Sequence, residues 1–167
     1  MFAGIISRTL KNSVISSSCL ITLDKVGAYT FYLNQPDIEV TITGRFSLSG
    51  IDQEKIEVTI HHQAPRTVAH TSLRGTSSDQ AKLTFFGRII IDSDCPQTNS
   101  FLEERILLLS PNARGETIPE LEILSDDVKC SHAATISTID PDQLFYLQSR
   151  GLTYKQAEKM LVASFLS

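Results

Sequence analysis

Residues Pro119 to Gly151 read PELEILSDDVKCSHAATISTIDPDQLFYLQSRG, and the fold turns on how the two halves of this stretch differ. From Val128 to Ile136 the even positions are Val128, Cys130, His132, Ala134 and Ile136. A strand places alternate residues on one face, so a thiol and an imidazole project together, about 6 to 7 Å apart along the backbone. Two borderline ligands at that separation are able to share one metal ion. After Thr138 the pattern changes. Asp140-Pro141 is an N-cap followed by proline in the first helical position, and Gly151 is a C-terminal stop, which predicts a helix over roughly Pro141 to Arg150.

Working outward, the chain beyond Gly151 stays helical. Thr153 opens a second helix, and Gln156 three residues later completes a capping box. Tyr154, Ala157, Leu161 and Phe165 then fall on one stripe at helical spacing. Upstream, by contrast, the chain is strand-like from Cys19 onward. CLITLDKVGAYTFYL, Val68 to Leu73, Leu83 to Asp92, Arg105 to Leu109 and Leu121 to Leu124 are rich in β-branched and aromatic residues and are separated by turn clusters. IEVTI occurs twice, at Ile38 to Ile42 and Ile56 to Ile60, 18 residues apart. With apolar runs such as IIIDS and ILLLS, that echo favours a solenoid over a sandwich or a meander. The expected division is an N-terminal extension over 1–18, a β core over 19–138 and a small helical domain over 139–167.

Composition bounds the function. The 167 residues are 41% hydrophobic and 20% charged, with a formal net charge of -4. That length suits one domain able to bury its own core. No clustered basic surface is visible, so no nucleic-acid partner is expected. No apolar run approaches a membrane span, so no membrane role is expected either. Three widely spaced cysteines, Cys19, Cys95 and Cys130, do not make a disulfide framework and fit a reducing, cytoplasmic setting. The first 23 residues carry Arg8 and Lys11 but no acid, a weak flavour of a targeting peptide.

Catalytic patterns are missing. There is no glycine-rich phosphate loop, hence no expected nucleotide site, and no GxSxG. Asp126-Asp127 and Glu103-Glu104 are acid pairs, but the chain has no Trp and only four Tyr to build a sugar cleft. His61, His62 and His70 are expected at the surface or in turns. Cys130 with His132 leaves no controlled third group for a thiol enzyme, and no complete zinc constellation is present.

The segments LTFFGRIII, ERILLLSPNARGETIPELEI, SDDVKCSHAAT and DPDQLFYLQSRG resemble the SufB/SufD family, scaffold subunits of iron-sulfur cluster assembly. HHQAPRTVAHTSLRG matches more loosely. The resemblance implies a right-handed parallel β-helix ending in a small helical domain. It also implies a non-catalytic scaffold that pairs edge to edge with a SufB-like paralogue or a second copy of itself, docks the ABC-type ATPase SufC through its terminal helices, and forms a transient iron-sulfur cluster at the seam.

KCSH at Lys129 to His132 is similar to the SufD-type interface strand, whose histidine is the proposed cluster ligand; that falls on His132, with Cys130 beside it. SufB-type chains carry cysteine where this chain has Glu104, and glutamate where it has Ala133, so the resemblance is to SufD. Glu104 becomes a possible oxygen ligand. Lys129, Ser131, Leu144, Phe145, Tyr154, Leu161 and Phe165 are the expected partner contacts. Family members are commonly more than twice this length. The alternatives are a structural or dimerisation module, a degenerate paralogue without cluster chemistry, or a β-helix or thiol enzyme.

Overall fold

The computed structural model describes residues 5–6 and 12–167; the stretch with Arg8 and Lys11 lies outside the described residues. Among the described residues, eleven strands precede two helices. They are β1 (Ile5–Ile6), β2 (Asn12–Ile15), β3 (Cys19–Leu23), β4 (Ala28–Leu33), β5 (Glu39–Leu48) and β6 (Gln53–His62). Then come β7 (Val68–Ser77), β8 (Lys82–Ile91), β9 (Thr98–Leu108), β10 (Arg114–Ile123) and β11 (Val128–Thr138), followed by α1 (Pro141–Ser149) and α2 (Tyr154–Leu166).

Successive strands alternate between two sheets, ordered β1-β3-β5-β7-β9-β11 and β10-β8-β6-β4-β2, and every pairing is parallel. The result is a parallel β-solenoid, as the sequence predicts. One turn of it is short: Glu39 pairs with Val68, Val68 with Asn99 and Thr98 with Val128, steps of 29, 31 and 30 residues.

The IEVTI echo is therefore not the turn repeat. Its first copy runs into β5 and its second lies in β6, on opposite walls. The two copies look alike because both walls bury alternate residues in one lumen: Val40 and Ile42 from β5, and Ile56, Val58 and Ile60 from β6. Phe46 and Phe85 meet across that lumen with ring centroids 5.9 Å apart. Each such fully buried large side chain contributes about 1.5 to 3 kcal/mol. Most outward positions stay half-buried or exposed, so the apolar runs read from sequence resolve into alternation: Ile89 and Ile91 are buried while Ile90 faces out.

The corners repeat with the turns. Asp37, Arg66 and Gln97 share left-handed backbone (φ 62°, 56° and 59°). Arg66 donates to both carboxylate oxygens of Asp37 one turn below, at 2.6 and 2.8 Å. An isolated surface pair of this kind adds about 0 to 1 kcal/mol, so it defines the corner more than it stabilises the fold.

Two differences from the sequence reading matter. First, β2 lies inside the segment read as an extension and pairs with β4. Second, β10 begins at Arg114, well before Leu121, and runs through Pro119. β10 is the outermost strand of its sheet, and an edge is where a mid-strand proline without an N–H is tolerated. The helices follow their caps. Asp140 accepts from the Asp142 N–H at 2.9 Å, and Thr153 and Gln156 form the capping box.

Candidate functional site at the open end of the solenoid

β11 is the last strand of the six-stranded sheet and has one neighbour, β9. Val128, Cys130, His132, Ala134, Ile136 and Thr138 stack on Thr98, Ser100, Leu102, Glu104, Ile106 and Leu108. In β9 those positions are the lumenal row, so the face carrying Cys130 and His132 is the lumenal face of the last turn. Among the described residues nothing covers that turn. Leu121 and Ile123 on the facing wall, and Ile136 beside the site, are consequently each at least 40% exposed.

Exposure falls along the row with depth. His132 is exposed. Cys130 is half-buried and packs on the cluster of Ile89, Ile91, Cys95 and Leu102. Burial pushes its thiol pKa up, which keeps it protonated until a metal or a base takes the proton.

Glu104 sits one turn in, beneath Ala134, and is fully buried. Neither carboxylate oxygen has a hydrogen-bond partner among the described residues. Desolvation pushes its pKa up to about 7. The space it occupies is made by Gly87 on the opposite wall, where a Cβ would lie 2.6 Å from Glu104 Oε1. From His132, Glu104 is a diagonal neighbour, about 8 Å away by strand spacing and rise.

The three sequence candidates thus share the lumenal face of one sheet, Cys130 and His132 on β11 and Glu104 on β9, but they do not converge. Among the described residues no group of three or more His, Cys, Asp or Glu side chains is placed to hold a metal ion. The donor set of thiol, imidazole and carboxylate suits iron or zinc in kind, yet it amounts to part of a coordination shell.

Below Cys130 lies a polar group that the sequence reading missed. His62 was expected at the surface, but it ends β6 on the lumenal parity of Ile56, Val58 and Ile60 and is fully buried. Its Nδ1 lies 2.7 Å from Thr67 Oγ1 and its Nε2 3.0 Å from Ser100 Oγ. Both hydroxyls are able to donate or accept, and Thr67 Oγ1 also lies 3.2 Å from Ala64 O, so both ring nitrogens are satisfied within the lumen. Burial, and secondarily His61, lowers the His62 pKa to about 4, so the ring is neutral. Counting parity forward from Ile60 would have found it. His61 faces outward, 2.9 Å from Asp92, and His70 is exposed.

The expected partner contacts divide. Lys129 and Ser131 lie exposed on the outer face of β11. Leu161 and Phe165 turn toward the solenoid and, with Arg74, Arg105 and Leu107, line a groove of about 440 Å³. Leu144 is half-buried, whereas Phe145 and Tyr154 are 73% and 52% exposed. The five do not form one surface. Tyr146 and Met160, which no periodicity argument singled out, border a second groove of about 430 Å³ between the helices, with Leu147 and Leu161.

The family described as SUF system FeS cluster assembly, SufBD core domain, matches residues 13–165, from β2 to the last turn of α2. The chain belongs to that family. Its relatives agree. The iron-sulfur cluster assembly protein SufD of Bacillus subtilis is 34% identical over 131 residues, 78% of this chain and 29% of that protein. SufD of Escherichia coli is 40% identical over 88 residues, 53% of this chain and 21% of that protein. The chloroplastic protein ABCI7 of Arabidopsis thaliana is 40% identical over 105 residues, 63% and 22% of the two chains. This SufBD core chain therefore spans between about a fifth and three tenths of the length of these relatives. No helix among the described residues is long and apolar enough to cross a membrane.

Proposed function

We propose that this SufBD core chain is a non-catalytic scaffold subunit on which an iron-sulfur cluster, as cargo, is assembled at a seam between two solenoids. The observation that carries the reading is the placing of Cys130 and His132 side by side on the lumenal row of an edge strand, β11, which pairs with β9 on one side and is open on the other. An open edge of backbone donors and acceptors is a template for another strand, and the apolar rim of Leu121, Ile123 and Ile136 favours covering. A facing chain then supplies the ligands this one lacks. The partner is a SufB-like paralogue or a second copy, with Lys129 and Ser131 on the outer flank of the seam.

His132 is the first ligand, Cys130 the second, and Glu104 an oxygen ligand reached from inside the lumen. The exposed Phe145, Tyr146, Tyr154 and Met160 of the helical hairpin present the surface on which a SufC-like ATPase docks. Three free thiols fit a reducing compartment such as the cytoplasm.

The test is His132→Ala in the chain co-expressed with a SufB-type paralogue and an ABC-type ATPase. Iron and acid-labile sulfide per complex should fall severalfold, while stability changes by less than about 0.5 kcal/mol, as for other exposed positions. Unchanged iron and sulfide would end the reading. The absence of a converging three-donor group among the described residues keeps one rival, a purely dimerising module. That rival predicts a stable complex holding neither iron nor sulfide in the unmutated chain.

A further inference from the structure

Arg45, Arg74 and Arg105 stand in register on β5, β7 and β9, one turn apart, on the outer face of the six-stranded sheet. Strands in a sheet lie about 4.8 Å apart, so three guanidinium groups are stacked at close range. Like charges at that spacing repel, and among the described residues only Glu103, 3.8 Å from Arg74, forms a salt bridge with them. The stack needs negative charge from elsewhere.

It comes from the end of α2. The last carbonyls of a helix have no partner within the helix and carry the negative end of its dipole. α2 has no basic residue of its own in its last turn. Instead Arg74 Nη1 donates to Phe165 O and to Ser167 O, both at 2.9 Å. Arg45 donates through Nε to Leu166 O, and through Nη2 to Ser167 O at 3.3 Å. The Arg105 guanidinium lies 5.7 Å over the Phe165 ring. All three arginines thus converge on Phe165 to Ser167.

Elsewhere the hairpin is lightly held. α1 buries no residue and α2 buries only Ala157. A groove of about 440 Å³ runs between hairpin and sheet, and Arg74 Nε is buried without a hydrogen-bond partner among the described residues, so the two do not pack closely along their whole length. The connection from β11 is two residues, Ile139 and Asp140. α1 and α2 pack on each other as one hairpin, with Leu147, Met160 and Leu161 lining the groove between them, and would move together.

We propose that the α1–α2 hairpin is an arm that swings about Ile139 and Asp140, and that Arg45, Arg74 and Arg105 are the clasp that holds it closed. Opening frees three stacked cations and the groove beneath. The arm's position, and hence whatever docks on its outer side, is set by charge–dipole contacts that compete with solvent. This goes beyond cluster assembly, and its test needs neither cluster nor ATPase.

Hydrogen exchange read by mass spectrometry tests it on the full chain. In the unmutated protein, α2 amides should exchange faster than those of β7 and β9, because the arm opens without the sheets unfolding. In Arg45→Ala/Arg74→Ala, α2 exchange should rise at least tenfold while β7 and β9 keep their protection. Phe165→Ala, which alters no strand, should change α2 in the same direction. The proposal is overturned if α2 stays protected in both variants, or if α2 and the strands lose protection together in both.

Discussion

Gly87 on β8 and Glu104 on β9 face each other across the lumen, and the buried carboxylate occupies the space that a side chain at 87 would take. A Cβ at Gly87 would lie 2.6 Å from Glu104 Oε1 and 2.3 Å from Leu102 Cδ2. Gly87→Ala should therefore destabilise the chain by about 1 to 3 kcal/mol, as overpacking does in a close-packed interior. Urea unfolding would show it as a lower midpoint at unchanged slope. In Gly87→Ala/Glu104→Ala the losses should be less than additive, because shortening residue 104 relieves one of the two clashes.

The same carboxylate sets a pH dependence. Its folded pKa is raised to about 7, above the ordinary glutamate value, so between about pH 4.5 and 7 the folded state binds more protons than the unfolded one. Stability then falls as pH rises through that window, by about 3 kcal/mol in all. Glu104→Gln should remove this loss. The measurement is unfolding free energy for both chains from pH 4.5 to 8, and parallel curves would contradict the prediction.

His62 acts in the opposite sense. Its folded pKa is lowered to about 4, so between about pH 6.5 and 4 the unfolded state binds the extra proton and stability is lost as pH falls. In the unmutated chain the two groups partly cancel. In Glu104→Gln the His62 effect should stand alone, as a steady decline on acidification, and His62→Gln in that background should flatten it.

The three thiols should differ in reactivity. Cys19 and Cys95 are buried and Cys130 is half-buried at the open end. Burial raises the pKa of all three, so labelling is slow at neutral pH and faster in mild alkali. Alkylation of the folded chain, followed by peptide mass spectrometry, should modify Cys130 first. A covering partner at β11 should suppress it.

Much of this was legible in the residues. Parity alone put Cys130 and His132 on one face, and the caps at Asp140 and Thr153 located both helices. What parity could not say was which face is lumenal. That is fixed by corner geometry at Asp37, Arg66 and Gln97, where left-handed backbone sits on residues that do not announce it. Without it, the burial of Glu104 was out of reach, and the 18-residue echo displaced the true interval; His62 was within reach, two residues beyond Ile60 on the apolar parity of β6. The spacing of Arg45, Arg74 and Arg105 held that interval in plain view.

Pro119 in the middle of β10 makes the open end asymmetric. A proline pairs with β8 only if its nitrogen points to the unpaired side, so the outer border of that sheet lacks a donor at its midpoint. β11 has no such gap along Val128–Thr138. Any strand adding to this chain meets a continuous zipper on one wall and a broken one on the other. Strand addition at this end is thereby biased to a single wall, that of β11.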